Sequence, residues 1–177
     1  MADSDRLVWA AGVVAPRPAD RLLEVGCGHG VLLSLLARRL DDGVVVGVDR
    51  SPTMIAAASR RNRASMAAGR VRVHAAPLAD ADLADEEFDV VVSFNVRAFW
   101  TPPGPEWDVV RQVLAPDGRV LVAFSLMDGD VPAAVDHRIR SLAGERGFAV
   151  TAVHRGATRP FPSAAYELQR GVRSRSA

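Results

Sequence analysis

The sequence predicts an α/β protein built on a doubly wound, mostly parallel sheet with helices on both faces. Three observations predict it. An apolar strand, Leu22-Leu23-Glu24-Val25, runs into a turn with glycine at 26, 28 and 30 and then into an apolar helix that starts at Val31. Two further runs, Val44–Val48 and Phe88–Phe94, are almost continuously apolar, the pattern of strands buried on both faces. The helix Val31–Leu40 between the first two strands is apolar nearly all round except at Arg38 and Arg39, as a buried crossover is.

A strand, a glycine turn and a helix in that order make a ligand-binding turn. Glycine lets the backbone approach a ligand closely, and the helix N-terminus presents unpaired N–H groups. A dinucleotide fingerprint requires its third glycine at position 31, where this chain has Val. The spacing is instead Glu-x-Gly-x-Gly-x-Gly from Glu24 to Gly30, with Cys27 and His29 interleaved. This resembles the first motif of the class I S-adenosylmethionine-dependent methyltransferases, in which the loop holds a methionine carboxylate.

Asp49 closes the second strand about 20 residues past the glycines, where a ribose hydroxyl is held in dinucleotide-type folds. Ser51 and Pro52 then start a helix with sound N-terminal chemistry, and the spacing predicts that it runs to about Ala68. Arg60, Arg61 and Arg63 lie on it, with Arg70 and Arg72 just beyond; a solvated face is the favoured reading over an anion-binding patch. Arg70–His74 alternates and reads as an edge strand. The loop after it carries Ala76-Pro77 where the resembling family has a Gly-Asp pair that reads adenine, so recognition is left to the Leu78 backbone or Asp80.

Beyond the fourth strand, Asn95, Val96, Arg97, Phe99 and Trp100 fall where ligands bind in open α/β sheets, past the carboxyl ends of the strands. Glu106–Leu114 places Trp107, Val110 and Leu114 on one helical face, so Trp107 reads as core. Leu114-Ala115-Pro116-Asp117-Gly118 reads as a helix end and turn before a fifth strand, and it resembles the segment preceding strand five in many small-molecule methyltransferases. A last helix from Val131 to Arg146 is followed by strands at Phe148–Val153 and Tyr166–Gln169. The ordered matches cover roughly residues 20 to 125. The resemblance implies a seven-stranded sheet of order 3-2-1-4-5-7-6 with strand 7 antiparallel.

At 177 residues the chain suits one domain, able to bury roughly 70% of its unfolded surface. Residues 1–18 read as an N-terminal helix, bearing Trp9, and a linker; residues 170–177 read as a polar tail. A net charge of +1 makes no case for nucleic acid or an anionic membrane, although nucleic acid is not excluded. The single cysteine, Cys27, excludes an internal disulfide and a cysteine-rich zinc site, and no metal is expected. No signal peptide or membrane span is read, so a cytoplasmic bacterial protein is expected, with a homodimer possible.

The resemblance implies S-adenosyl-L-methionine as methyl donor. Carried over position by position, Glu24, Gly26, Cys27, Gly28 and Gly30 meet its methionine part and Asp49 its ribose. Arg50 and Met54 flank adenine, Ala76, Pro77 and Leu78 line its edge, and Asn95 meets the reacting end. Arg97 would meet an acidic group of a small-molecule acceptor and Trp100 would supply a flat apolar wall, with Phe99 as a further substrate residue. No catalytic base is named, because positioning alone can supply about 7–11 kcal/mol of a barrier. The alternatives are an RNA or protein methyltransferase and a non-catalytic S-adenosylmethionine-binding protein.

Overall fold

A computed structural model of the chain describes residues 4–83, 85–127 and 129–171. The expected polar tail beyond Gly171 lies outside the described residues. Helix α1, Asp5–Val14, precedes strand β1, Arg21–Val25. Then follow α2, Val31–Ala37, β2, Val44–Asp49, α3, Pro52–Arg61, α4, Arg63–Ala67, and β3, Val71–Ala75. A 3₁₀ turn at Leu78–Asp80 leads to β4, Phe88–Phe94, and another at Arg97–Trp100 leads to α5, Glu106–Val113. The chain ends in β5, Leu114–Ser125, α6, Ala133–Gly144, β6, Phe148–Gly156, and β7, Ser163–Arg170.

The seven strands form one sheet in the order β3-β2-β1-β4-β5-β7-β6, as the sequence implied. β1 is central. Leu23 stands opposite Val46 of β2 on one side and Val91 of β4 on the other, both in parallel. β7 runs antiparallel between β5 and β6, with Val122 opposite Tyr166.

The continuous apolar runs are explained by where alternate residues go. Leu22, Val45, Val90 and Leu121 pack under α1, α2 and α3, whereas Leu23, Val46, Val91 and Val122 join the core with α5 and α6 on the opposite face. Each strand therefore feeds two cores, so period-two patterning disappears. Trp107 is fully buried at the centre of the second core, with Phe148 at 5.6 Å and Ile139 in the same cluster.

Several expected boundaries move; the last helix is shorter than expected and the last two strands are longer. The helix predicted from Pro52 to Ala68 is two helices, broken at Asn62, whose buried side chain bonds back to Ala58 O and across to the glycine turn. The first crossover helix ends at Ala37 rather than Leu40, where Arg39 N–H bonds Leu36 O in a tightened last turn. The Pro-Asp-Gly turn is an irregular excursion at the start of β5, because Leu114 pairs with Phe88 but Arg119 with Val90. Among the described residues no helix is long and apolar enough to cross a membrane.

Candidate active site

The glycine turn sits at the carboxyl end of β1, wedged between β2 and β4. Gly26, Gly28 and Gly30 all have positive φ, at 71°, 51° and 73°. Gly26 N–H and Cys27 N–H both donate to Val48 O, at 2.8 and 3.1 Å, which fastens the turn to β2. A Cβ at Gly28 would meet nothing within 4 Å and so would project into open space. Gly30 differs, because a Cβ there would lie 2.6 Å from Asn62 Nδ2 and 2.8 Å from Ala58 Cβ. The second glycine faces a cavity, and the third lets α3 close against the turn.

Asn62 is the residue that makes this closure specific, and sequence reasoning missed it. Its Nδ2 donates to Gly30 O at 3.0 Å, and its Oδ1 accepts from Ser34 Oγ at 2.7 Å. An Asn inside a long apparent helix carries no local signal of such a role. Only the tertiary approach of α3 to the turn reveals it.

Asp49 ends β2 and ties into the same turn. Its Oδ2 accepts from Gly28 N–H and its Oδ1 from Ser51 N–H, both at 2.9 Å. A carboxylate has about four lone-pair sites, so acceptor capacity remains for a diol. The carboxylate lines a cavity of 630 Å³ together with Gly26, Arg50, Ala76, Pro77, Leu78, Asn95 and Arg97. Met54 does not line it. Its N–H bonds Ser51 Oγ at 3.4 Å as part of the helix cap.

A second cavity of 220 Å³ is lined by Glu24, Cys27, Gly28 and His29, with Arg6 from α1. The two cavities share Gly26, Phe94 and Asn95 in their walls. Glu24 is 3% exposed, and its Oε2 has no hydrogen-bond partner. Burial pushes its carboxyl well above the usual carboxylate range; the Leu33 N–H opposes that rise and the Asp49 charge adds to it. Burial also pushes the Cys27 thiol up, so this side chain fills space and is no nucleophile. Asn95 adopts φ 61° at the seam, its Oδ1 accepting from Ser125 N–H at 2.9 Å.

The expected acceptor wall needs correction. Phe99 is 0% exposed and belongs to the core, with its ring edge-on to Trp107 at 5.1 Å and its carbonyl accepting from Trp107 Nε1 at 3.1 Å. Trp100 packs on Phe124 at 5.1 Å and does not line either cavity. The 3₁₀ turn at Arg97–Trp100 is the cause, since it turns the aromatics toward the sheet and leaves Arg97 at the cavity. Glu106, which the sequence did not single out, lines the larger cavity, and its Oε2 is buried without a partner.

The arginines of the second helical segment stay outside. Arg60, Arg61 and Arg63 are exposed and line neither cavity, although Arg61 Nε donates to His29 O at 3.1 Å. Arg72 pairs with Glu86. His154 Nε2 lies 2.9 Å from Glu167 Oε2 on the last two strands, away from the turn.

A doubly wound sheet in this strand order, with a Glu-x-Gly-x-Gly-x-Gly turn beside an acid on β2, defines the class I S-adenosylmethionine-dependent methyltransferase type. Residues 22–118 match the family model described as a methyltransferase domain, and the chain belongs to that family. It is 32% identical over 131 residues to the arsenite methyltransferase of Halobacterium salinarum, covering 73% of this chain and 33% of that one. It is 36% identical over 110 residues to the nocamycin O-methyltransferase of Saccharothrix syringae, covering 61% of this chain and 39% of that one. The chain thus spans well under half of each of these two relatives. Among solved structures, the magnesium protoporphyrin IX methyltransferase of Synechocystis with bound SAM superposes with a TM-score of 0.67 at 20-odd per cent identity, 22%, covering 94% of this chain and 77% of that one.

Proposed function

We propose that the protein is a methyltransferase that moves the methyl group of S-adenosylmethionine by in-line displacement to an O, N or C nucleophile of a small molecule. The observation that carries this reading is the pair of cavities that adjoin at Gly26 of the glycine turn, with Asp49 in the wall of the larger and Glu24 in the wall of the smaller. Asp49 holds the ribose hydroxyls, and Arg50 with the Ala76–Leu78 backbone borders the base. Gly28, with open space where a Cβ would stand, lets the methionine part approach the turn. Glu24 faces the same part with an acceptor oxygen that the protein leaves unpaired.

When bound, the donor supplies a methyl group already activated by its sulfonium. The chain's own task is then alignment and exclusion of water. Arg97 and Glu106 also line the larger cavity, one cationic and one with an unpaired carboxylate oxygen, and are the groups offered to an acceptor. The small-molecule class is supported by the nocamycin relative. A nucleic-acid acceptor would draw on Arg60, Arg61 and Arg63, which line neither cavity.

Calorimetry with S-adenosylmethionine and S-adenosylhomocysteine is the direct test, followed by a labelled-methyl screen of small acceptors. Binding of both with turnover of a small acceptor is expected. No binding would end the reading, and salt-sensitive labelling of RNA alone would replace its acceptor class.

A further inference from the structure

Among the described residues, Gly26, Phe94 and Asn95 stand in the walls of both cavities, and of these Asn95 alone carries a polar side chain. On the reading above the sulfonium lies at that seam, because its sulfur joins the ribose side, at Asp49, to the methionine side, at Glu24. Asn95 is held there by β5 at two points. Its N–H donates to Ala123 O at 2.8 Å and its Oδ1 accepts from Ser125 N–H at 2.9 Å, so it carries the β4–β5 pairing one step past Phe94. Its backbone is left-handed, at φ 61°, a conformation that Asn tolerates and bulkier side chains resist.

These two bonds decide which way the amide faces. A backbone N–H can only donate, so the atom opposite Ser125 is the carbonyl oxygen and the atom left over is Nδ2. Asn95 is exposed, and its Nδ2 has no partner among the described residues. A pair of N–H donors thus stands free beside the seam. A cationic sulfonium is no acceptor for them, so they serve what attacks it. Lone pairs then separate the candidate nucleophiles. An amine nitrogen has a single lone pair, and once Nδ2 engages it the nitrogen cannot attack. An oxygen accepts one bond and keeps a further lone pair for the methyl group.

We propose that Asn95 selects an oxygen acid, a phenol, enol or carboxylic acid, as the methyl acceptor, holding its oxyanion on Nδ2 in line with the sulfonium. This rests on the S-adenosylmethionine reading above. Such an acid gives its proton to water before it binds, so the protein need supply no base. A free lone pair of the oxygen forms the O–CH₃ bond as the S–CH₃ bond breaks, and the pair of the broken bond stays on sulfur. The oxyanion and sulfonium charges cancel, leaving a methyl ether or ester and S-adenosylhomocysteine. Arg97, in the wall of the larger cavity, suits an acceptor that arrives as an anion.

Labelled-methyl transfer from S-adenosylmethionine is measured on matched probes: phenol with aniline, β-naphthol with β-naphthylamine, and benzoate with benzylamine. The parent should label the oxygen acids about 10- to 100-fold faster than their amine partners, the worth of one hydrogen bond to a charged group. Asn95→Asp keeps an oxygen for Ser125 and tolerates the left-handed backbone, but it exchanges the donors for an anionic oxygen; Asn95→Gly keeps the backbone alone. Both should lose oxygen labelling by that factor while S-adenosylhomocysteine affinity, read by calorimetry, falls far less. Amines labelled as fast as their partners, or no oxygen acid labelled at all, would overturn the acceptor class. Parent-like oxygen labelling in either variant would overturn the role of Asn95, and so would an equal loss of S-adenosylhomocysteine affinity, which would make Asn95 a donor contact. Failure of the parent to bind S-adenosylhomocysteine would remove the donor reading itself.

Discussion

The Gly28 N–H donates to Asp49 Oδ2 at 2.9 Å, so the acid at the end of β2 and the middle of the glycine turn are one unit before any ligand arrives. Asp49→Ala removes both the tether and the ribose acceptor. Its affinity for S-adenosylhomocysteine should fall about 10- to 100-fold, the worth of hydrogen bonds to a charged group. Calorimetry reads this directly, and an affinity equal to that of the parent would remove Asp49 from the ribose.

Two glycines of the same turn should fail in different ways. At Gly28 a Cβ meets no atom of the protein, but the residue sits at φ 51°, so Gly28→Val costs about 1–2 kcal/mol of backbone strain and fills the space the donor needs. Gly30→Ala meets Asn62 and Ala58, so overpacking of about 1–3 kcal/mol adds to a backbone strain at φ 73° like that at Gly28. A stability loss of that size lowers the melting temperature by roughly 2–12 °C in a chain of this length. Thermal melts and calorimetry on both variants should show donor binding abolished in Gly28→Val and mainly stability lost in Gly30→Ala.

Glu24 gives a pH dependence whose sign is fixed. Burial raises its pKa in the folded chain above the unfolded value of about 4.3. Between these two values the folded state holds more protons than the unfolded one, so stability falls as pH rises through the window and levels off above it. Glu24→Gln removes the titration. Denaturant midpoints of the ligand-free proteins, taken from acid to neutral pH, should shift progressively in favour of the variant, and a difference that stays constant with pH would mean that Glu24 titrates normally.

Phe99 and Arg97 are neighbours in sequence with opposite roles. Phe99→Ala should destabilise the chain by about 3–5 kcal/mol, because it empties a site in the core beside Trp107. Arg97→Ala, at an exposed position on the cavity rim, should leave the melt unchanged and raise the KM of an acidic acceptor. Loss of acceptor binding in a stably folded Phe99→Ala would reverse this division.

The sheet was legible because strand burial writes itself as apolar runs, and the positions of Glu24, Gly28 and Asp49 follow from where those runs stop. What escaped depends on contacts between distant segments. Asn62 looks like a helix interior residue until α3 meets the turn. Glu106 reads as an acid suited to a helix start, and nothing nearby in sequence marks the cavity behind it. Phe99 and Trp100 look like a recognition surface because two aromatics follow a strand end, but the 3₁₀ turn at Arg97–Trp100 decides which way they face. Arg6 reaches a site assembled from segments far along the chain, and no local pattern announces that.

The placement of β7 between β5 and β6 has a consequence for the order of events on the ribosome. β1 to β5 emerge with each parallel neighbour available in turn. The open edge of β5, bearing Val120, Val122 and Phe124, is closed by Leu168, Tyr166 and Ala164, which are translated only after α6 and β6. β6 cannot cover that edge in the interim, since its own partner is also β7. Translation must therefore run through Arg170 before this half of the sheet can form, and a nascent chain stalled short of it displays an unpaired apolar strand to whatever meets it.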